Sequence, residues 1–520
     1  MTSVGRTRGA LIVFEGGDRC GKTTQCGKLV ERLQSQGVDA CMWRFPDRST
    51  AIGQAINAYL AEHSSMDDAV IHMLFVANRL EKREEMLQLL AGGTTLVLDR
   101  YSYSGVAYTA AKGVPHLSLE YCKSLEVVLP AADLVLHMSM TAEATAARGG
   151  YGEERYEKVD FQRKVMEIFG ALRDDRWAVV DASSTIEAIH EQVVATVMPV
   201  VERARGGAPL GRLWDYSPLG LPLPARDAPV DASQPVATSN QDAVAVVTVH
   251  TQQVKGEHVG SQVLALGTEA PFQLRFEHGA ALCSCAVAVR CQHGVPNGNG
   301  THAPRGALIA FEGGDRCGKS TQSKLLADTL RGRGGKVEQL NFPDRSTPIG
   351  MLVDDYLRNK SALDDAVIHL LFTANRFEKR NAMLQALAGG TTLVLDRYSY
   401  SGVAYTGAKG VPHLGPEYCR SVEVGLPAAD LVVFMDISPE ESAARGGYGQ
   451  ERYEKVAQQF HSLMDQRWLV LDAGAPEGEI HAKVLAAALP IVEQARRGAA
   501  LGRLWDDAPL ELPRVPISVA

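Results

Sequence analysis

No stretch of the 520 residues holds 18 consecutive apolar side chains, and the first ten residues carry arginines without an apolar run. Neither a membrane-spanning helix nor a secretory leader is expected. Cysteine is sparse and odd in number: nine scattered residues, at 20, 26, 41, 122, 283, 285, 291, 317 and 419. That spread argues against a secreted disulfide framework and fits a reducing compartment, cytoplasmic or nuclear. Basic charge is not in surplus either. With 53 Lys and Arg against 61 Asp and Glu, a net charge of −8 gives no global reason to expect a nucleic-acid backbone as ligand. An anionic ligand must be held by a local device. What remains is 45% hydrophobic and 22% charged, an ordinary globular composition in a chain too long for one core.

The chain says the same thing twice. LIVFEGGDRCGKTTQ from Leu11 returns as LIAFEGGDRCGKSTQ from Leu308, and Ala91–Thr109 recurs identically at Ala388–Thr406, both at an offset of 297 residues. The register then slips. Trp177 matches Trp468 at an offset of 291, so copy 2 has lost six residues shortly after the RYEKV that ends at Val159 and Val456. A repeat of about 200 residues is a whole domain and not a solenoid unit. The expected division is 1–215 for copy 1, 216–304 for a linker and 305–520 for copy 2. Pro and Gly punctuate the linker, while AVAVVTVH from Ala243 and QVLALG from Gln262 leave a small hairpin open there.

Within copy 1, short apolar runs at Ala10, Val38–Phe45, Thr95, Asp133 and Trp177 alternate with helical stretches at Thr23–Gln36, Asp67–Ala91 and Thr185–Arg205. Alternation of this kind implies an α/β fold, a parallel sheet with helices on both faces, in each copy. Ligands then bind at the carboxyl ends of the strands.

GGDRCGKT from Gly16 and GGDRCGKS from Gly313 each satisfy G-x-x-x-x-G-K-[ST] between an expected strand and an expected helix. Gly16, Gly17, Gly21 and Gly313, Gly314, Gly318 let backbone N–H groups face nucleotide phosphates. Lys22 and Lys319 reach the β- and γ-phosphates, and the hydroxyls of Thr23 and Ser320 can ligate Mg²⁺, with Thr24 and Thr321 following. Asp99 and Asp396 close apolar strands, as a carboxylate metal partner does, and Arg100 and Arg397 come next.

In order and spacing these blocks resemble the thymidylate kinase family of P-loop nucleoside monophosphate kinases. FPDRST from Phe45 and Phe342, LF-x-ANR from Leu74 and Leu371, DRYSYSGVAY from Asp99 and Asp396, and RGGYG-x-ERYE from Arg148 and Arg445 join the P-loops in that likeness. The resemblance implies phosphoryl transfer from ATP to dTMP with Mg²⁺. It puts Asp18 and Asp315 near the acceptor sugar, and gives Arg19 and Arg316 the charge of the transferring phosphoryl group. It gives Arg48, Arg345, Arg100 and Arg397 the acceptor phosphate, within a block that includes Phe45 and Phe342. Phe75 and Phe372 stack on thymine and Arg79 and Arg376 donate to it, while Tyr108 and Tyr405 crowd a ribose 2′-hydroxyl. Gln162 is a thymine-site residue and maps to Gln459 at the 297 offset. Arg148 and Arg445 lie near adenine in a lid. Homodimers are the family's habit, so the two copies are expected to form an intramolecular pseudo-dimer.

Both copies depart from that pattern. Copy 1 has Leu80 and Val128 where copy 2 has the more regular Phe377 and Gly425, which inclines the reading toward copy 2 as the better preserved site. Copy 2 carries the deletion, and Gly474 where copy 1 has Ser183. Two other functions stay open: a kinase acting on dUMP or a nucleoside, and a scaffold with degenerate sites. The scaffold predicts losses among the lysines, P-loop arginines and strand-end aspartates, and none occurs. Cys283, Cys285, Cys291 and His293 form C-x-C-x5-C-x-H, which is read as plain linker against the alternative of a zinc site.

Overall fold

The computed structural model describes residues 7–141, 144–145, 155–215, 219, 302–446 and 450–513. The linker hairpin, the cysteine–histidine cluster and Arg148 fall outside these residues. Copy 1 holds strands β1 (Leu11–Gly16), β2 (Ala40–Arg44), β3 (Thr95–Asp99), β4 (Leu134–Ser139) and β5 (Trp177–Asp181), all parallel, in the order β2-β3-β1-β4-β5. Around them lie α1 (Lys22–Ser35), α2 (Ala51–Leu60), α3 (Asp68–Leu80), α4 (Arg83–Ala91), α5 (Ser102–Ala110), α6 (Leu119–Ser124), α7 (Val159–Leu172) and α8 (Ile186–Arg205).

Copy 2 repeats the sheet as β6 (Leu308–Gly313), β7 (Val337–Asn341), β8 (Thr392–Asp396), β9 (Leu431–Asp436) and β10 (Trp468–Asp472), in the order β7-β8-β6-β9-β10. Its helices are α9 (Lys319–Gly332), α10 (Pro348–Leu357), α11 (Asp365–Ala388), α12 (Ser399–Gly407), α13 (Pro416–Ser421), α14 (Pro439–Ala444), α15 (Gln450–Leu463) and α16 (Glu477–Arg496). No described helix is long and apolar enough to cross a membrane.

The apolar run of β1 is buried along its whole length because helices cover both faces of the sheet. Strand order reverses at β1, which lies between β3 and β4, so the loop after β1 opens into the crevice where α/β sheets bind ligands. Each domain is tied off by a buried bidentate pair. Arg8 spans Asp133 at 2.7 and 2.8 Å, and Arg305 spans Asp430 at the same distances. Leu219 packs back on copy 1 through a 2.7 Å bond to the Leu210 carbonyl, as Leu510 does to Leu501 at 2.8 Å, so that domain's packing runs past residue 215.

Two expectations are corrected. The long helix over Asp67–Ala91 is two helices in copy 1, because the Lys82 N–H turns to the i−3 carbonyl of Arg79 at 3.1 Å; copy 2 keeps one continuous helix, α11. The register of the deletion also differs. Val165, Phe169 and Leu172 on α7 occupy the core places of Val456, Phe460 and Leu463 on α15, an offset of 291 along the whole helix. RYEKV is therefore helical in copy 2, whereas Arg155–Lys158 precede α7 in copy 1. The structural counterpart of Gln162 is Tyr453, not Gln459. Gln459 instead lies against Gly407, where a Cβ would meet its Oε1 at 2.8 Å.

The two copies belong to one compact unit. α3 packs on α11, and one hydrophobic core runs unbroken from copy 1 into copy 2, while each copy keeps a separate core on its other sheet face. Tyr121 donates to the Val422 carbonyl at 3.0 Å and Tyr418 to the Leu125 carbonyl at 3.2 Å, the same contact made in both directions.

Candidate functional site

Glycine shapes each loop after β1 and β6. Gly16 has φ 136°, and a Cβ there would lie 2.5 Å from the Met138 carbonyl oxygen; Gly313 repeats this at φ 135° against Met435. Arg19 and Arg316 hold left-handed backbones at φ 59° and 60°, a conformation an L-residue adopts only where its surroundings enforce it. Lys22 folds back onto the loop, donating to the Gly17 carbonyl at 2.6 Å, and Lys319 makes the same bond to Gly314. Thr23 Oγ1 donates to Asp99 Oδ2 at 2.5 Å, and Ser320 pairs likewise with Asp396. The exposed Thr24 and Thr321 begin the next helical residues, beside Gly21 and Gly318, which cap the helices in the left-handed region.

Beside the loop, copy 1 assembles a network around Asp18. Arg100 ion-pairs with it, Tyr108 Oη donates at 3.0 Å and Gln162 Nε2 at 2.9 Å. Burial pushes the Asp18 carboxyl up, but Arg100, Lys22 and the two hydrogen bonds outweigh that and hold it below its ordinary value. Arg100 also reaches the Gly16 carbonyl at 3.1 Å and Ser104 Oγ at 2.9 Å. In copy 2, Arg397 pairs with Asp315 and reaches Gly313 at 3.2 Å and Ser401 at 2.9 Å, while Tyr405 Oη lies 3.5 Å from Arg397 Nη2.

Several contributors were given no role by the sequence. Glu15 and Glu312 are fully buried, and each accepts from two backbone N–H groups and a serine hydroxyl, which fixes the turn bearing Arg100 or Arg397. Burial raises both carboxyls, Glu312 to about 7. Glu126 and Glu423, also fully buried, hold Arg79 and Arg376 in bidentate pairs with Nε contacts of 3.0 Å. The acid in SLEVVLP and SVEVGLP, a charge inside an apolar run, was the available signal. Arg79 and Arg376 lie one helical turn from the half-buried Phe75 and Phe372, pressed on α5 and α12. A Cβ at Gly105 would stand 2.6 Å from Arg79 Nη2.

Glu157 accepts from Arg19 Nε at 3.0 Å. Phe45 and Phe342 are core residues, 3% and 4% exposed and tilted against Tyr101 and Tyr398 at 6.1 and 6.0 Å, and so shape the loop that carries Arg48 and Arg345. Arg48 and Arg345 stand on that loop; Arg48 Nη1 donates to Asn57 at 2.8 Å, and Arg345 pairs with Asp354 at 3.0 Å. The exposed Arg445 lies 3.4 Å from the Ala473 carbonyl, on the loop after β10.

A mononucleotide kinase needs this set: a phosphate loop with its lysine, an oxygen donor pair and arginines facing an acceptor. Comparison with known proteins agrees. The thymidylate kinase family profile matches residues 14–193 and 311–493. Thymidylate kinase of Arabidopsis thaliana is 49% identical over 40% of this chain and 78% of its own length. The Homo sapiens enzyme is 45% identical over 40% of this chain and 98% of its own. A solved structure of thymidylate kinase from Candida albicans aligns at 35% identity, over 38% of this chain and 94% of its own, with a TM-score of 0.35.

Proposed function

From the premise that the chain belongs to the thymidylate kinase family, as two family domains in one polypeptide, we infer how its residues perform the reaction. The enzyme phosphorylates dTMP to dTDP with ATP as phosphoryl donor. The loops after β1 and β6 bind the ATP phosphates through their N–H groups, and Lys22 or Lys319 leaves its loop carbonyl for the β- and γ-phosphates. Thr23 with Asp99, and Ser320 with Asp396, present hard oxygen donors of the number Mg²⁺ takes from protein when phosphates complete its shell. When bound, that ion neutralises phosphate charge.

Arg19 and Arg316 stabilise charge on the transferring group, because a loose transition state spreads that charge over oxygens a guanidinium can reach. Arg48 and Arg100, with Arg345 and Arg397, face the acceptor phosphate, and their forked donors suit it. Phe75 and Arg79 recognise thymine, supported by the locked orientation of Arg79 on Glu126. The observation that carries the reading is the Asp18–Arg100–Tyr108–Gln162 network standing beside an intact phosphate loop. The two copies act as an intramolecular pseudo-dimer, supported by the continuous core and the reciprocal tyrosine bonds. We place the enzyme in a reducing compartment, cytoplasmic or nuclear, supported by the unpaired state of all six described cysteines. A steady-state acceptor panel tests the assignment: dTMP is turned over well ahead of dCMP, AMP, dUMP and thymidine, and equal turnover of dCMP or AMP refutes the thymine site.

A further inference from the structure

Resting on that reading of the reaction, we propose that each thymine-recognising arginine is set in place by a tyrosine of the other copy: Tyr418 positions Arg79 through Glu126, and Tyr121 positions Arg376 through Glu423.

The link starts at a helix end. α6 is capped at Leu125, where carbonyls have no partner within the helix, and a helix of six residues is too short to hold its own end in place. The Tyr418 hydroxyl, from α13 of copy 2, donates to the Leu125 carbonyl at 3.2 Å. That carbonyl and the Glu126 N–H are the two ends of one planar peptide unit, and the N–H is bonded in turn to the Lys123 carbonyl at 3.0 Å. With both ends of the unit held, the Glu126 Cα is held. Its carboxylate then takes Arg79 in the bidentate pair, with Nε at 3.0 Å. Copy 2 repeats every step. α13 is capped at Val422, Tyr121 donates to that carbonyl at 3.0 Å, the Glu423 N–H bonds the Arg420 carbonyl at 3.0 Å, and Glu423 takes Arg376 Nε at 3.0 Å.

Position is passed along such a chain only where there is no slack, and the surroundings leave little. The two tyrosines, two glutamates and two arginines are all buried. A Cβ at Gly105 would stand 2.6 Å from Arg79 Nη2 and 3.2 Å from Glu126 Oε1, and one at Gly402 would stand 2.8 Å from Arg376 Nη2 and 3.3 Å from Glu423 Oε1, so α5 and α12 close each pair in from the far side. Two residues beyond each glutamate the backbone is held again, by Arg83 Nε on the Val128 carbonyl and Arg380 Nε on the Gly425 carbonyl, both at 2.7 Å. Burial raises both phenols, and the carboxylates of Glu126 and Glu423 add to it, so each hydroxyl keeps its proton and remains a donor. A guanidinium gains affinity and specificity only when its fork is aimed at the acceptor, which makes its orientation worth fixing from both sides of the pair. The tyrosines touch no substrate; they are positioning residues.

Phenylalanine keeps each ring and removes the hydroxyl. In the full chain, Tyr121→Phe with Tyr418→Phe is expected to raise KM for dTMP about threefold, a share of the roughly fivefold that one hydrogen bond is worth, with kcat and KM for ATP unchanged. The constant for competitive inhibition by dCMP is expected to stay at the parent value, because a donor placed for thymine does not serve cytosine. An unchanged KM for dTMP overturns the proposal, and so does a rise shared by ATP and dCMP, which is general loosening. A parent chain that does not turn over dTMP fails the kinase reading instead. The crossed arrangement is read in Lys319→Ala, where turnover comes from copy 1: adding Tyr418→Phe raises KM for dTMP and adding Tyr121→Phe does not. In Lys22→Ala the two tyrosines exchange roles, and whichever background turns over dTMP serves. A tyrosine that acts on its own copy refutes the crossing.

Discussion

Glu126→Gln removes the charge that compensates a buried guanidinium. Arg79 is 2% exposed and Glu126 fully buried, and the pair is bidentate, with Nε to Oε2 at 3.0 Å. Burying two ions costs several kcal/mol each, and their attraction returns that cost only while both are present. Taking one partner away from such a pair therefore costs about 3–5 kcal/mol. In a domain of this size about 1 kcal/mol moves the melting temperature by roughly 2–4 °C, so the melting step of copy 1 falls by about 6–20 °C. Differential scanning calorimetry of the full chain reads that step. The double variant Arg79→Met with Glu126→Leu is expected to recover most of the lost stability, because neither charge is then buried. It should not recover saturation by dTMP at low concentration, because the arginine proposed to donate to thymine is gone. The reasoning is refuted by a melting step within about 2 °C of the parent in Glu126→Gln, since Arg79 would then have to be solvated. It is equally refuted if the double variant melts as low as the single one.

Other outcomes follow from the same geometry. Arg19→Ala combined with Arg316→Ala lowers kcat by about three orders of magnitude with ATP binding largely kept, and an unchanged kcat removes both arginines from the mechanism. His72 and His369 are fully buried and held by Thr109 and Thr406 at 2.9 Å, and burial depresses both to about 3 from the ordinary 6.5. Below pH 6.5 the unfolded chain binds protons that the fold excludes, so stability falls with pH across the window from 6.5 to about 3. Between pH 7 and pH 5 the loss is about 2 kcal/mol for each histidine. Thermal melts that do not move over that range contradict it. Light scattering is expected to report one chain of 56.1 kDa, and a stable particle of twice that mass would dissolve the pseudo-dimer.

The sequence by itself determined the duplication, the parallel sheets and both phosphate loops, because each is written in contiguous residues. An apolar strand, a glycine turn, a lysine and a helix start are local chemistry, and local chemistry survives reading along a line. The buried acids were harder to see. Glu126 stands 47 residues from the arginine it holds, and only the packing of α3 beside α5 and α6 brings them together. Register was beyond reach altogether: the deletion fits equally on either side of a repeated Lys-Val, and helix packing chose the alignment. Val456 and Phe460 had to fill the core places of Val165 and Phe169, and that requirement put Tyr453, not Gln459, beside the loop. Asp354 in place of Asn57 looks like a surface change until the fold sets it on Arg345. Which residues exist was settled along the chain. Which of them meet was settled by burial, since a side chain's partner depends on which helix face the core claims first.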